Sequence, residues 1–144
     1  MKTALTCLLA CLAVLPLRAA ETQWTTDFNT ALRTAKAEKK MLLMNFTGSD
    51  WCGWCIKLKN EVFSKPEFKE YATKNLVLVE LDFPKKKKQT AAEKKNNQSL
   101  AQRYKVGGFP TIIVLTSDGK LAGELGYQPG GPQAFIAALD KLKK

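Results

Sequence analysis

The sequence predicts an α/β fold with a mixed central sheet of about four strands, in the order β-α-β-α-β-β-α, flanked by helices and preceded by an extra N-terminal helix. Three observations carry this reading. Runs of β-forming residues at 41–46 and 76–82 are separated by a helical pattern, the arrangement of parallel strands joined by a crossover. A third run at 111–115 is followed by the turn Ser117-Asp118-Gly119-Lys120 and a fourth strand at 121–125, a hairpin. From Gly130 onward the apolar period returns to that of a helix.

Each element has its own signals. Asp27 or Thr26 is placed to cap the first helix, whose apolar positions Phe28, Ala31, Leu32 and Ala35 share a face and whose end is marked by Lys39-Lys40. Residues 41–46 have the length of a buried strand, and Thr47-Gly48-Ser49-Asp50 is turn chemistry. The pattern Ile56, Leu58, Val62 and Phe63 then continues as helix to Ser64-Lys65-Pro66. There Ser64 is placed to cap a new segment, with Pro66 in its first turn, that runs through Phe68 and Tyr71 to about Asn75. The strand at 76–82 is stopped by Phe83-Pro84. The lysine-rich stretch after it reads as a solvated loop, then as a helix starting at Thr90-Ala91-Ala92-Glu93 and reaching Leu100, Ala101 and Tyr104. In the last helix Phe135, Ile136, Leu139 and Leu142 face one way, and Lys141, Lys143 and Lys144 suit its negative end.

Residues 1–20 read as an export signal, with Lys2 as the charged start, an apolar run from Ala4 to Leu15, and small residues at Ala19 and Ala20. The run is interrupted by Pro16 and Arg18 and is shorter than the roughly 20 residues needed to span a bilayer. Cys11 faintly fits a lipidation site, but a second apolar run follows it where a polar tether belongs. Cleavage removes Cys7 and Cys11 and leaves a single expected domain, 21–144, exported to the periplasm or secreted. The mature charge is +8, against +10 for the whole chain. The polyanions such a protein meets are membrane surfaces, envelope polymers and acidic proteins. Nucleic acid is not an expected partner, because no aromatics interleave with the lysines.

The chemistry is concentrated in Trp51-Cys52-Gly53-Trp54-Cys55. A Cys-x-x-Cys pair opening a helix sets the first sulfur over unpaired N–H groups and the positive end of the dipole, which favour a thiolate. Cys52 is therefore the candidate nucleophile. Cys55, one turn on, is placed to attack a mixed disulfide and release the partner, which makes it the resolving residue. A purely structural disulfide is the plainer alternative, but closing so short a loop removes little unfolded-state entropy. Zinc is disfavoured, since two cysteines in a chain without histidine cannot supply four nitrogen or sulfur ligands. Two-coordinate Cu(I) on the thiolates stays open as a non-enzymatic carrier role.

Three features together resemble the thioredoxin superfamily, and most closely its exported members: the Trp-Cys-Gly-x-Cys motif after the first core strand, Gly108-Phe109-Pro110-Thr111 before the third, and the closing hairpin and helix. The likeness covers Asp27 to Lys144. It implies the thioredoxin fold, thiol–disulfide oxidoreductase activity on disulfides of exported proteins, and a cis peptide bond at Pro110 lying against the disulfide. It also implies that the backbone beside Phe109 pairs with an extended partner peptide as an added strand. Trp51, Gly53, Trp54 and Phe109 are the candidate substrate contacts, Trp54 because an apolar ring on an exposed turn has a use when it touches a partner.

Two departures from the family bear on mechanism. The buried acid of the first core strand, which helps to deprotonate the resolving cysteine, is matched here by Asn45, and an amide is no base. Glu80 and Asp50 are the acids that stand in reach of that role. Between the cysteines, Gly53-Trp54 is neither the Gly-Pro of reducing thioredoxins nor the x-His of oxidising relatives. With no histidine to hold the thiolate, a Cys52 pKa nearer thioredoxin's value of about 7 than the strong oxidant's value of about 3.5 is expected, and with it a reductase or isomerase rather than a net disulfide donor. No small-molecule cofactor or metal is implied. A reductase in an oxidising compartment needs an electron donor, for which a membrane thiol-transfer system is expected, and a monomer is expected because nothing in the sequence demands a dimer. The lysines at 85, 86, 87 and 88 are a solvated insertion or a docking surface for acidic partners or membrane.

Overall fold

The computed structural model describes residues 23–143; the export signal expected over 1–20, and Lys144, lie outside the described residues. Strand β1 (Trp24–Thr25) precedes helix α1 (Phe28–Glu38) and strand β2 (Met41–Thr47). Helix α2 (Gly53–Leu58) passes into a π-helical turn (Lys59–Phe63), followed by α3 (Pro66–Asn75), β3 (Leu76–Asp82) and α4 (Ala91–Arg103). The hairpin β4 (Thr111–Leu115) and β5 (Leu121–Leu125) and helix α5 (Gly131–Asp140) complete the fold.

The sheet order is β1-β3-β2-β4-β5. β3 runs parallel to β2, whereas β4 is antiparallel to both β2 and β5, as the crossovers and the hairpin require. The sequence missed one strand. β1, at two residues, is too short to show a period, and it exists because it pairs with β3, Trp24 opposite Leu78. The Trp24 ring then lies 5.1 Å from that of Phe63.

All residues of the central strands β2 and β4 are buried, and their side chains alternate between two cores. Met41, Leu43, Leu76, Leu78, Ile112 and Val114 face the π-helical turn, α3 and α5, where Phe135 meets Phe63 and Phe68 edge on and those two rings lie tilted against each other. Leu42, Met44, Phe46, Val79, Leu81, Ile113 and Leu115 face α1 and α4. Asn45 and Glu80 share the parity of the first set, so both point under the helix that carries the cysteines.

The helix signals are met in most places. Asp27 caps α1 by accepting from the Thr30 N–H at 2.9 Å, and Thr90 and Glu93 form a reciprocal capping box on α4. Two details differ from the sequence pattern. Ser64 does not cap α3; it closes the π-helical turn, and α3 starts from Lys65 without a side-chain cap. Pro66 alone marks that start, its fixed φ and missing N–H being harmless at a first turn. Ile56, counted as an inward position, is 41% exposed, because the inward face of α2 is taken by Cys55 and Leu58.

Candidate active site

The cysteines sit where β2 hands over to α2. After Thr47 the chain turns through Gly48, whose carbonyl accepts from the N–H groups of Trp51 and Cys52 at 3.2 and 2.9 Å. Cys52 is the N-cap of α2, and its sulfur accepts from the Cys55 N–H at 3.2 Å, one of the donors a helix start leaves without a carbonyl. The two are joined as a disulfide, Cα to Cα 5.2 Å. Both are nearly buried, at 6% and 5% exposure. The Gly48 N–H donates to Cys55 Sγ at 3.5 Å. Gly48 is also sterically required, because a Cβ there would lie 2.5 Å from the Trp51 ring.

Around Cys52 the surroundings are aromatic and reach the surface. The Phe109 carbonyl oxygen lies 3.7 Å from Cys52 Sγ, and the Phe109-Pro110 bond is cis. The Phe109 ring stacks on Phe83 at 4.9 Å and meets Trp51 edge on at 6.0 Å. Trp51, 39% exposed, is fixed by donating its Nε1–H to the Phe83 carbonyl at 2.7 Å. Trp54 is 56% exposed and leans on Tyr127, ring centroids 5.0 Å apart. Gly53 is open to solvent, and nothing lies within 4 Å of where its Cβ would be.

Beside Cys55 lies a partly open cavity of mixed lining, in which the apolar side chains of Trp24, Ile56 and Phe63 stand with polar ones. Its volume is about 240 Å³, and Cys55, Asn45, Glu80, Lys59 and Thr47 are also among its lining residues. Asn45 and Glu80 are register partners on β2 and β3. Asn45 is buried, and its Oδ1 has no hydrogen-bond partner among the described residues. Burial, reinforced by the nearby Asp82 carboxylate, raises the pKa of Glu80, and Lys59 and Lys87 counter this only in part.

Of the two acids expected to replace the family's buried one, only Glu80 reaches this cavity. Asp50 is committed elsewhere. Its carboxylate accepts from the backbone N–H groups of Lys85, Lys86 and Lys87 at 2.9, 2.8 and 2.9 Å, and these bonds, that from Lys85 foremost, hold its pKa below the usual range. The sequence reading also missed Tyr127 and Phe83. Nothing local marks either, since each acquires its place only when distant loops meet the Cys-x-x-Cys turn. Among the described residues no group of three or more His, Cys, Asp or Glu side chains converges as metal ligands do, and no helix is long and apolar enough to cross a membrane.

A disulfide at a helix start, on a strand-to-helix turn of this mixed sheet and beside a cis X-Pro carbonyl, defines a thiol–disulfide oxidoreductase. Comparison with known proteins agrees. Residues 28–143 match the thioredoxin-like domain, and the chain belongs to that family. It is 38% identical over 129 residues to disulfide bond reductase DsbH of Chlamydia pneumoniae, covering 90% of this chain and 77% of that protein. It is 30% identical to the thioredoxin-related protein DsbJ of the same organism, covering 83% of this chain and 36% of the larger protein. The solved structure of a DsbH oxidoreductase superposes with a TM-score of 0.80 at 36% identity, covering 92% of both chains.

Proposed function

We propose that the mature protein, residues 21–144, is exported and acts as a monomeric reductase or isomerase on disulfides of other exported proteins. The observation that carries this reading is the Cys52–Cys55 disulfide at the start of α2, with the Phe109 carbonyl against Cys52. The direction is supported by the absence of histidine from the chain and by the likeness to a protein named a disulfide bond reductase.

In the reduced enzyme the Cys52 thiolate attacks one sulfur of a substrate disulfide. A bond forms between Cys52 and that sulfur, and the other leaves as a thiolate. Phe109 and Pro110 align the substrate backbone, and Trp51, Gly53 and Trp54 contact it. Cys55 then loses its proton and attacks Cys52 Sγ, releasing the second substrate thiolate and closing the enzyme disulfide. Two electrons pass to the substrate, and a dithiol donor, a membrane thiol-transfer system, restores them. Glu80 is the acceptor for the Cys55 proton. It shares the cavity with Cys55 and with the unpaired Asn45 Oδ1, a free acceptor beside the path of the proton. A carboxylate whose pKa is raised holds a proton more readily near neutral pH than an ordinary one.

The reduction potential of the Cys52–Cys55 couple, equilibrated with graded thiol buffers, tests the direction. A value of roughly −270 to −200 mV is expected. A value near about −120 mV would establish the second reading, a net disulfide donor, and the lack of any reversible two-electron couple would remove both.

A further inference from the structure

Both flanks of the disulfide carry the same device, an exposed aromatic ring with a lysine held over it. On one side the Lys85 ammonium lies 4.1 Å from the centre of the Trp51 ring. On the other the Lys57 ammonium lies 5.2 Å from the ring centres of both Trp54 and Tyr127. We propose that this surface is a docking site for extended, acidic peptide segments bearing the target disulfide, with carboxylates on either side of the cysteine received by Lys57 and by the lysines at 85, 86, 87 and 88. The inference rests on the exchange function proposed above and adds the class of substrate.

The lysine loop is built rather than loose. Asp50, the residue before Trp51, gathers three of its backbone N–H groups, and Lys87 Nζ donates to Ser49 Oγ at 2.9 Å. Ser49 is anchored in turn, its N–H and hydroxyl both donating to the Asp82 carboxylate. The loop is thereby fastened to the turn that carries the cysteines. The one carboxylate at its centre makes its hydrogen bonds to backbone donors, and one such charge offsets only part of the charge of the four lysines around it. Among the described residues none of Lys85, Lys86, Lys87 and Lys88 forms an ion pair. On the opposite flank Lys57 is only loosely paired, 3.9 Å from Glu61, whose other oxygen accepts from the Tyr127 hydroxyl at 2.8 Å. Concentrating like charges costs self-repulsion, which an acidic partner relieves, and the rings beside them supply apolar contact for its backbone and side chains.

The test uses the mature protein in its reduced form and three peptides with the same disulfide, flanked by Asp and Glu, by Ser, or by Lys. Rates of disulfide reduction are followed by tryptophan fluorescence at low and high salt. The acidic peptide is expected to react roughly tenfold faster than the Ser peptide at low salt, with the Lys peptide slowest and the spread closing at high salt. Replacing Lys85, Lys86, Lys87 and Lys88 together by Ser should narrow the spread, and replacing them by Arg should preserve it. Equal rates for the three peptides would overturn the docking site while leaving the exchange function standing. Failure to reduce any of them would instead overturn the exchange function. Equal rates together with sedimentation on vesicles containing phosphatidylserine would assign the lysines to a lipid surface.

Discussion

Cys52 and Cys55 are shielded from solvent to the same degree, yet their surroundings differ in kind. Cys52 looks out past a backbone carbonyl and a rim of rings, Phe109, Trp51 and Phe83 on one side, Trp54 and Tyr127 on the other. Cys55 looks inward, onto a partly open cavity with apolar walls that also holds an unpaired amide oxygen and a half-buried carboxylate. In the mechanism proposed above the two sulfurs do different work. One must meet the backbone of a foreign protein, which calls for apolar surface and an acceptor to align it. The other must lose a proton on the side away from the partner, which calls for a base close to it.

Removing one sulfur separates the two roles most sharply. Cys55→Ser leaves the outer side intact, so a substrate should be trapped covalently on Cys52, visible by mass spectrometry of the unreduced protein, while turnover falls by at least about a hundredfold. Turnover that persists would put the resolving step on another thiol.

The next effect is on stability. Phe68 is fully buried beneath the inner side, its ring 5.0 Å from Phe63 of the π-helical turn and 6.1 Å from Phe135 of α5. Phe68→Ala should cost about 3–5 kcal/mol in urea unfolding, by lost transfer energy and the cavity left behind. The rate of attack by Cys52 in the protein that remains folded should change less than about twofold, since no ring of the outer rim touches Phe68. A larger change would show that the two sides are mechanically coupled.

The smallest expected effect isolates the inner side. Glu80→Gln should slow release of the mixed disulfide by roughly 10- to 100-fold while leaving its formation unchanged. It should also stabilise the protein, with a defined pH signature. The folded-state pKa of Glu80 is raised above the ordinary 4.5, so the folded state binds this proton more tightly than the unfolded chain. Stability is therefore lost as pH rises through the ordinary value toward the raised one, and the loss is complete above it. The variant should be the more stable at pH 7, and the difference should vanish below about pH 4, as read by thermal unfolding across that range. An unchanged release rate would remove Glu80 from the proton path.

Local patterns made much of this legible. The strand runs, the hairpin turn, the helix start at Thr90 and the cysteine pair each depend on neighbours a few positions away, and each appears where the sequence placed it. The strand at Trp24 was not legible, because two residues carry no period and its cause is the edge of β3. Asp50 and Glu80 were indistinguishable as acids near the motif in sequence. Folding separates them: one turns to the loop of lysines, the other lies under α2.

By itself the sequence located the candidate redox pair and the kind of scaffold that carries it, because a Cys-x-x-Cys pair at a helix start is complete within one turn of backbone. Only the tertiary structure decided what each sulfur faces. Asn45 with Glu80, Trp54 with Tyr127 and Asp50 with the loop of lysines are contacts between segments distant along the chain. Burial, shared cavities and the spending of a carboxylate on one set of donors rather than another exist only once those segments are packed together.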